Sequence, residues 1–366
     1  MIQASLSKYE SGEVKPPVTS VGVIGWLRTN LFSNVFNSIL TIVIVFFLIK
    51  IVPPLIKWAF IDSVFKWGAA EACKNASGAC WSVVPSNIRL IVFGLYPHAE
   101  HWRPFAAMIL LFGLLFYTQN RKHWKKYLIY MWFAGLPIMG LLMKGGLFGL
   151  LPVESSQWGG IPLTLLLALF GLAAAYPLGV LLALGRQSKM PVVRWFSIIY
   201  IELIRGVPLI SLLFMSSIIF PLFLPEGITI NSILRAQAAI ILFTAAYIAE
   251  VVRGGLQGMA RGQYEAAQSV GLNYYQTMRL VILPQALKMV IPPTVSILIS
   301  AFKDTSLVVI ISLWDLMKTT KNVLTDPAWM GASREAFIFI AILYFLGCFS
   351  LSQYSRKLEK ELSQGE

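Results

Sequence analysis

The residues with most chemical reach in this chain are opposite charges set side by side in an apolar run. "KDTSL" places Lys303 and Asp304 next to Thr305 and Ser306, at the outer end of a hydrophobic segment or within it. Ionisable groups are costly in hydrocarbon, so they either pair with each other or line a polar path. Lys303 offers a cation and Asp304 an anion, and the two hydroxyls can donate or accept. A ligand carrying both charges could be held there by charge-assisted bonds, which are shorter and stronger than neutral ones. The other reading is a Lys–Asp pair that closes a helix end and does nothing more. Glu202 and Arg205, followed by Gly206 and Pro208, pose the same choice. They belong to a path or its inner gate, or they form an i,i+3 pair on a helix that Pro208 kinks. Glu250 and Arg253 repeat that spacing. Cys73 and Cys80, in "CKNASGAC", could join in a disulfide if their loop faces an oxidising compartment, whereas Cys348 lies inside an apolar run and reads as packing. "HAEH" at 98–101 offers two imidazoles without further ligands, so it reads as a polar loop and no metal site is expected. The chain has only three His, and no Ser–His–Asp or metal constellation falls in its apolar runs, which argues against an enzyme.

The elements that position these groups follow from composition. Of 366 residues, 57% are hydrophobic and only 13% charged, too apolar for a soluble domain of this length. The net charge of +13 does not indicate nucleic acid, because the bases sit in short gaps between apolar runs and not on one face. A bilayer core of roughly 30 Å needs about 20 helical residues to cross. About eight segments qualify, near 35–57, 103–119, 126–143, 160–185, 195–224, 235–256, 286–303 and 335–354. No alternating strand pattern appears, so an all-α multi-spanning fold is expected. Residues 1–30, with Lys8, Glu10, Glu13 and Lys15, do not read as a signal peptide. Bases cluster in "NRKHWKKY", in "GRQSKMPVVRW", around 253–279 and in "SRKLEKEL". Placing these on the cytoplasmic side gives eight crossings with both termini inside.

One cytoplasmic stretch is polar between two spans: "GQYEAAQSVGLNYYQTMRLVILPQ", Gly262–Gln285. Glu265, Ala266, Ala267 and Gln268 favour a short helix, and Gly271 ends it where a left-handed residue costs least. Asn273 can cap a second helix, with Gln276 three residues on completing a capping box. Pro284 removes a donor and marks the turn into the next span. Ala266, Ala267 and Val270 form a small apolar face suited to a groove. On pattern alone, a plain surface hairpin fits equally well.

The string itself is more specific. Glu265–Ala267, three residues, Gly271, nine residues and then "VILP" resembles the EAA loop of ABC importer membrane subunits, with Val281 where Ile is usual. "WGGIPLTLLLALFGLAAAYPLGVLLALGR", "YIELIRGVPLI", "AAYIAEVVRGGLQG" and "FKDTSLV" are similar, in that order, to the membrane subunits of polar amino-acid importers. The resemblance implies a type I core of five helices in 158–366. Residues 1–157 form an extension with about three spans and a periplasmic loop, as in the long M-type subunits of broad-specificity L-amino-acid importers. It also implies that Gly262, Glu265, Ala266, Ala267, Gly271 and Pro284 couple to an ATPase, and that Lys303, Asp304, Thr305, Ser306, Glu202 and Arg205 serve translocation. A zwitterionic amino acid matches the paired charges of Lys303 and Asp304.

The chain lacks the G-x-x-x-x-G-K-[ST] phosphate loop, so ATP and Mg are expected on a partner and no cofactor in this chain. The implied partners are two copies of an ATP-binding subunit, a second homologous permease subunit, a periplasmic amino-acid-binding protein and membrane lipid, in the inner membrane of a bacterium. A secondary transporter driven by an ion gradient is the alternative, though no internal repeat is apparent.

Overall fold

The computed structural model describes residues 22–363; the polar opening at 1–21 and the last three residues lie outside it. Packing divides the chain into two units, one holding 22–65 and 75–80, the other 66–74 and 81–363. In the first, α1 (Gly22–Asn30) precedes α2 (Val35–Ile56), whose Asn34 cap accepts the amide of Asn37. Pro53 and Pro54 lie inside α2, and the Lys57 amide donates to their carbonyls as the helix runs on into a π turn, Lys57–Ile61. No residue of the continuous helix Val35–Ile61 is fully buried.

The second unit begins with α3 (Ala70–Lys74) and α4 (Val83–Phe93), followed by the antiparallel pair α5 (Trp102–Gln119) and α6 (Lys126–Lys144). Trp132 donates to the Thr118 hydroxyl at 3.0 Å, which ties α6 to the end of α5. Next come α7 (Gly160–Arg186), α8 (Pro191–Gly206) and α9 (Leu209–Phe214), the last continued by π and 3-10 turns to Phe223. Then α10 (Ser232–Gln257) leads into α11 (Arg261–Ser269), α12 (Tyr274–Gln276), α13 (Leu283–Met289) and α14 (Ile291–Asp304). A 3-10 segment, Thr305–Ile311, leads to α15 (Leu316–Val323) and α16 (Ser333–Ser363).

The core is the pairing of α7 with α10. Small residues let two helices approach closely where lipid gives no hydrophobic drive to pack. Ala175, Gly179 and Ala183 on α7 meet Ala245, Ile248 and Ala249 on α10, and all six are buried. A Cβ at Gly179 would stand 2.6 Å from the Ile248 side chain. At the other end of α7, Gly160 has φ 62°, and a Cβ there would stand 2.0 Å from the Val92 carbonyl. Backbone-to-backbone contact seats α4 against α7, and Thr319 of α15 adds a 3.1 Å bond to the Ile91 carbonyl.

Among the described residues, six helices are long and apolar enough to cross a membrane, or seven if α8 and α9 with its extension count as one span bent by 102°. The expected eight includes α5 as well, and termini on the same side of the membrane require that crossing. α5 is a helix where expected, but Trp102, Arg103 and Pro104 open it and Thr118 and Gln119 close it. Its apolar run, 105–116, reaches only about 18 Å at 1.5 Å per residue. The boundary expected at 157 is a boundary of resemblance; packing places α4, α5 and α6 in one unit with α7–α16. Among the described residues the all-α expectation holds but for short parallel bridges, Trp314–Asp315 with Gly159–Gly160 and Val64 with Cys80.

Candidate functional site

The polar stretch after α10 is a helical elbow. The motif helix α11 ends at Gly271, which takes φ 84° and donates to the Gln268 carbonyl at 2.9 Å. Leu272 then bonds back to the Ala267 carbonyl, closing the helix end. Asn273 and Gln276 form the reciprocal capping box, at 3.0 and 2.9 Å. The apolar face differs from expectation. Ala267 is buried against the body, whereas Ala266 and Val270 face outward with Gly262 and Glu265. Adjacent helical residues lie about 100° apart, so Ala266 and Ala267 cannot share a face fully. Gly262, Ala266 and Val270 are spaced by four and make one small-residue row on the exposed side.

Pro284 does not mark a turn. It lies in the first turn of α13, where its missing donor costs little, and the chain runs helically from Tyr274 through a π segment, Thr277–Ile282. Met278, Ile282, Ala286 and Val290 from this arm join the buried cluster of α7 and α10. Gln285 also donates to the Gln263 side chain at 3.0 Å, tying the arm to α11.

Above the elbow, three helix ends meet in a charged network. Arg186, at the end of α7, lies 2.9 Å from Glu202 of α8 and 3.7 Å from Glu250 of α10. Arg205 of α8 reaches Glu250 at 3.4 Å and stacks over the Tyr247 ring at 5.7 Å. Arg253 donates to both Glu250 carboxylate oxygens, with Nε at 3.0 Å. Glu202 and Arg205 therefore do not pair with each other as i,i+3 neighbours. Each pairs across a helix boundary, and α8 breaks directly after them at Val207–Pro208. Arg186 entered the sequence reading only as a marker of sidedness. Asking which cation could meet Glu202 and Glu250 at the same end of neighbouring spans would have found it.

"KDTS" lies within a span, where α14 tightens into the 3-10 segment, and not at its end. Lys303 and Ser306 line a cavity of about 390 Å³ with Met317, Phe337, Ile340 and Tyr344. Asp304 and Thr305 do not line it. Thr305 is fully buried and donates to the Phe302 carbonyl at 2.7 Å, and Ser306 to that of Lys303 at 2.8 Å. These bonds serve carbonyls at the helix transition. Lys303 and Asp304 form no ion pair within 4.0 Å among the described residues.

Asp315, just beyond this span, is fully buried and caps α15, accepting the amides of Lys318 at 2.9 Å and Met317 at 3.0 Å. Burial pushes its carboxyl up to about 6, against the pull of those two amides and of Lys321. The cap was not foreseen, because "WD" before "LMKTT" is short and follows an apolar run. Cys73 and Cys80 are in disulfide form and Cys348 is a free thiol. His101 stacks on Phe93 at 4.5 Å and bonds the Tyr96 carbonyl, and His98 contacts Arg89 at 2.6 Å.

Three comparisons bear on this architecture. The family model described as "binding-protein-dependent transport system inner membrane component" matches residues 175–364, from within α7 to α16 and so including the elbow. The chain is 48% identical to the inner membrane amino-acid ABC transporter permease protein YhdY of Escherichia coli, over 93% of both chains. It is 37% identical to the glutamate/glutamine/aspartate/asparagine transport system permease protein BztC of Rhodobacter capsulatus, over 95% of both. A solved structure titled as an amino acid ABC transporter with histidines superposes with a TM-score of 0.50 at 29% identity, covering 54% of this chain and 90% of that one.

Proposed function

Because the chain belongs to the family of binding-protein-dependent transport system inner membrane components, we propose that it is the inner-membrane permease of an ATP-driven amino-acid importer, coupled through the elbow at Gly271. The ion-gradient alternative finds no support among relatives that are ABC permeases. The observation that carries the coupling role is the outward row of Gly262, Ala266 and Val270 with Glu265, on a helix fixed from behind by Ala267 and the Gln263–Gln285 bond. A row of small side chains admits close approach of a partner surface, and Glu265 adds a charge for it to read. The arm from Tyr274 to Asp304 offers a continuous path from the elbow to Lys303 and Ser306. Pro284 serves this path by position inside the arm.

In this reading two copies of an ATP-binding subunit hold ATP and Mg, and this chain supplies no catalytic group. A second homologous permease subunit and a periplasmic amino-acid-binding protein complete the complex. Both termini face the cytoplasm. Lys303 and Ser306 meet the substrate's carboxylate, with Asp304 and Thr305 supporting the helix transition beneath them. Glu202 and Arg205 act at the inner mouth as members of the network with Arg186 and Glu250.

The deciding experiment reconstitutes the complex in vesicles and measures uptake of labelled amino acids with and without ATP on the ATPase side. Uptake that needs ATP and the binding protein is expected. Uptake driven by an ion gradient alone sinks the proposal.

A further inference from the structure

The end of α6 farthest from the elbow carries a cavity that the transport reading leaves unused. It is about 420 Å³, walled by Pro137, Gly140, Leu141 and Leu147, with Lys144 as its charged member. Lys144 is the last residue of a helix long and apolar enough to cross a membrane, so its ammonium stands near the level of one leaflet's phosphates. α7 then crosses back to Arg186 and the elbow side, which fixes the leaflet as the opposite one. Lys144 makes no ion pair within 4.0 Å among the described residues.

The loop that follows is tied down yet apolar at its tip. Gly146 bonds the Leu150 carbonyl at 2.9 Å and Val153 that of Lys144 at 2.8 Å. Beneath it lies Arg103, with no exposure, donating Nε to the Leu142 carbonyl at 2.7 Å and Nη1 to that of Leu151 at 2.8 Å. Its Nη2 is buried against the Gly145 wall of the cavity and has no hydrogen-bond partner. Its Nη1 also stands 3.6 Å from the Glu100 carboxylate, so those two charges offset each other and Lys144 carries the net charge of the wall. On the outer side Leu147, Phe148 and Leu151 are 58%, 91% and 67% exposed. A loop held this firmly keeps three large apolar side chains out of the protein, next to the apolar surface of its own span. Charge suits a phosphate, and the continuity of apolar surface with the span suits acyl chains.

We propose that this end of α6 binds one anionic phospholipid of the leaflet opposite the elbow. The phosphodiester rests on Lys144, an acyl chain lies along Pro137, Gly140 and Leu141, and Phe148 and Leu151 sit at the depth of the glycerol backbones. The test uses the full chain with its partner subunits in vesicles containing phosphatidylglycerol, part of it carrying a photoreactive acyl chain. Gly140 lines the cavity and a Cβ there meets nothing within 4 Å, so Gly140→Leu can start into the cavity without a backbone clash. Label in residues 137–147 is expected to fall about fivefold in Gly140→Leu, and Lys144→Gln should cost about fivefold in preference over a photoreactive diacylglycerol. Label on lipid-facing Ile342 and Phe345 of α16 should not change. Equal labelling of 137–147 in wild type and both variants overturns the site. So does a Phe148→Trp probe that brominated phospholipid fails to quench and that a soluble partner protein shields instead.

Discussion

At Gly271 the backbone takes φ 84° and a Cβ would touch nothing within 4 Å, so space is no obstacle to a side chain. The left-handed backbone alone resists, by about 1–2 kcal/mol, and a β-branched residue suffers most. Gly271→Val should therefore insert normally but let the elbow relax out of shape. The expected outcome in reconstituted complex is ATP hydrolysis near the normal rate with uptake reduced several-fold; proportional loss of both would point to misassembly. Asp315 is constrained differently. Its carboxyl is raised to about 6, above an ordinary value of 3.8, so the folded chain holds the proton more tightly than the unfolded chain. The stabilisation is fully present below about pH 4 and is lost as pH rises through about 6, on the order of 3 kcal/mol in all. Asn can cap as Asp does but cannot ionise, so Asp315→Asn should flatten thermal stability between pH 4 and 6.5 in detergent scans. A persistent slope in the variant would exclude this carboxyl as its source. The capping box at Asn273 and Gln276 was legible because it is local, four residues closing on themselves. The burial of Ala267 beside an exposed Ala266 was not, since it depends on which side of α11 the body occupies.

Helix ends behave as a group in this protein. Arg186, Glu202 and Glu250 come from three elements, so their pairing could not be read from spacing along any one of them. The i,i+3 spacing of Glu202 and Arg205 suggested a pair on one helix; the break after α8 and the 102° bend instead leave each facing a neighbour. Glu202 is half exposed, so its pair with Arg186 is screened and its coupling energy should be modest, on the order of 0.5 kcal/mol. Arg186→Gln and Glu202→Gln should each lower uptake, and the double variant should lose less than the two losses combined, measured as a double-mutant cycle. Additive losses would show that the two residues act apart. What sequence did make plain at this scale was the elbow itself, because the motif fixes several anchors in register. The cavity beside Lys303 was out of reach: Met317, Phe337 and Tyr344 come from elements with no periodic signal pointing at "KDTS".

The molecule as a whole is a set of crossings whose sidedness can be tested. α7 joins the α6 loop to the Arg186 end, so the loop tip and the elbow should lie on opposite faces. Phe148→Cys and Gly262→Cys, both at exposed positions, should react with a membrane-impermeant maleimide from opposite sides of right-side-out and inverted vesicles. Labelling of both from one side would refute the threading. Composition and loop charge revealed the membrane fold and most crossings; α5 is marked less clearly because polar residues stand at both its ends. The π turn at Thr277–Ile282 has a mechanical meaning at this scale. Met278, Ile282, Ala286 and Val290 are spaced by four and all buried. In an ideal α-helix each step of four overshoots a full turn by about 40°, which would carry such a row around the cylinder. A stretch bonded i to i+5 is wound more loosely and turns less per residue, so the row stays on one side and hands over to Ala301, Thr305 and Val308. The segment acts as a shim that keeps elbow and cavity in phase. Losing a single residue from it would rotate one against the other by about 100° without breaking either.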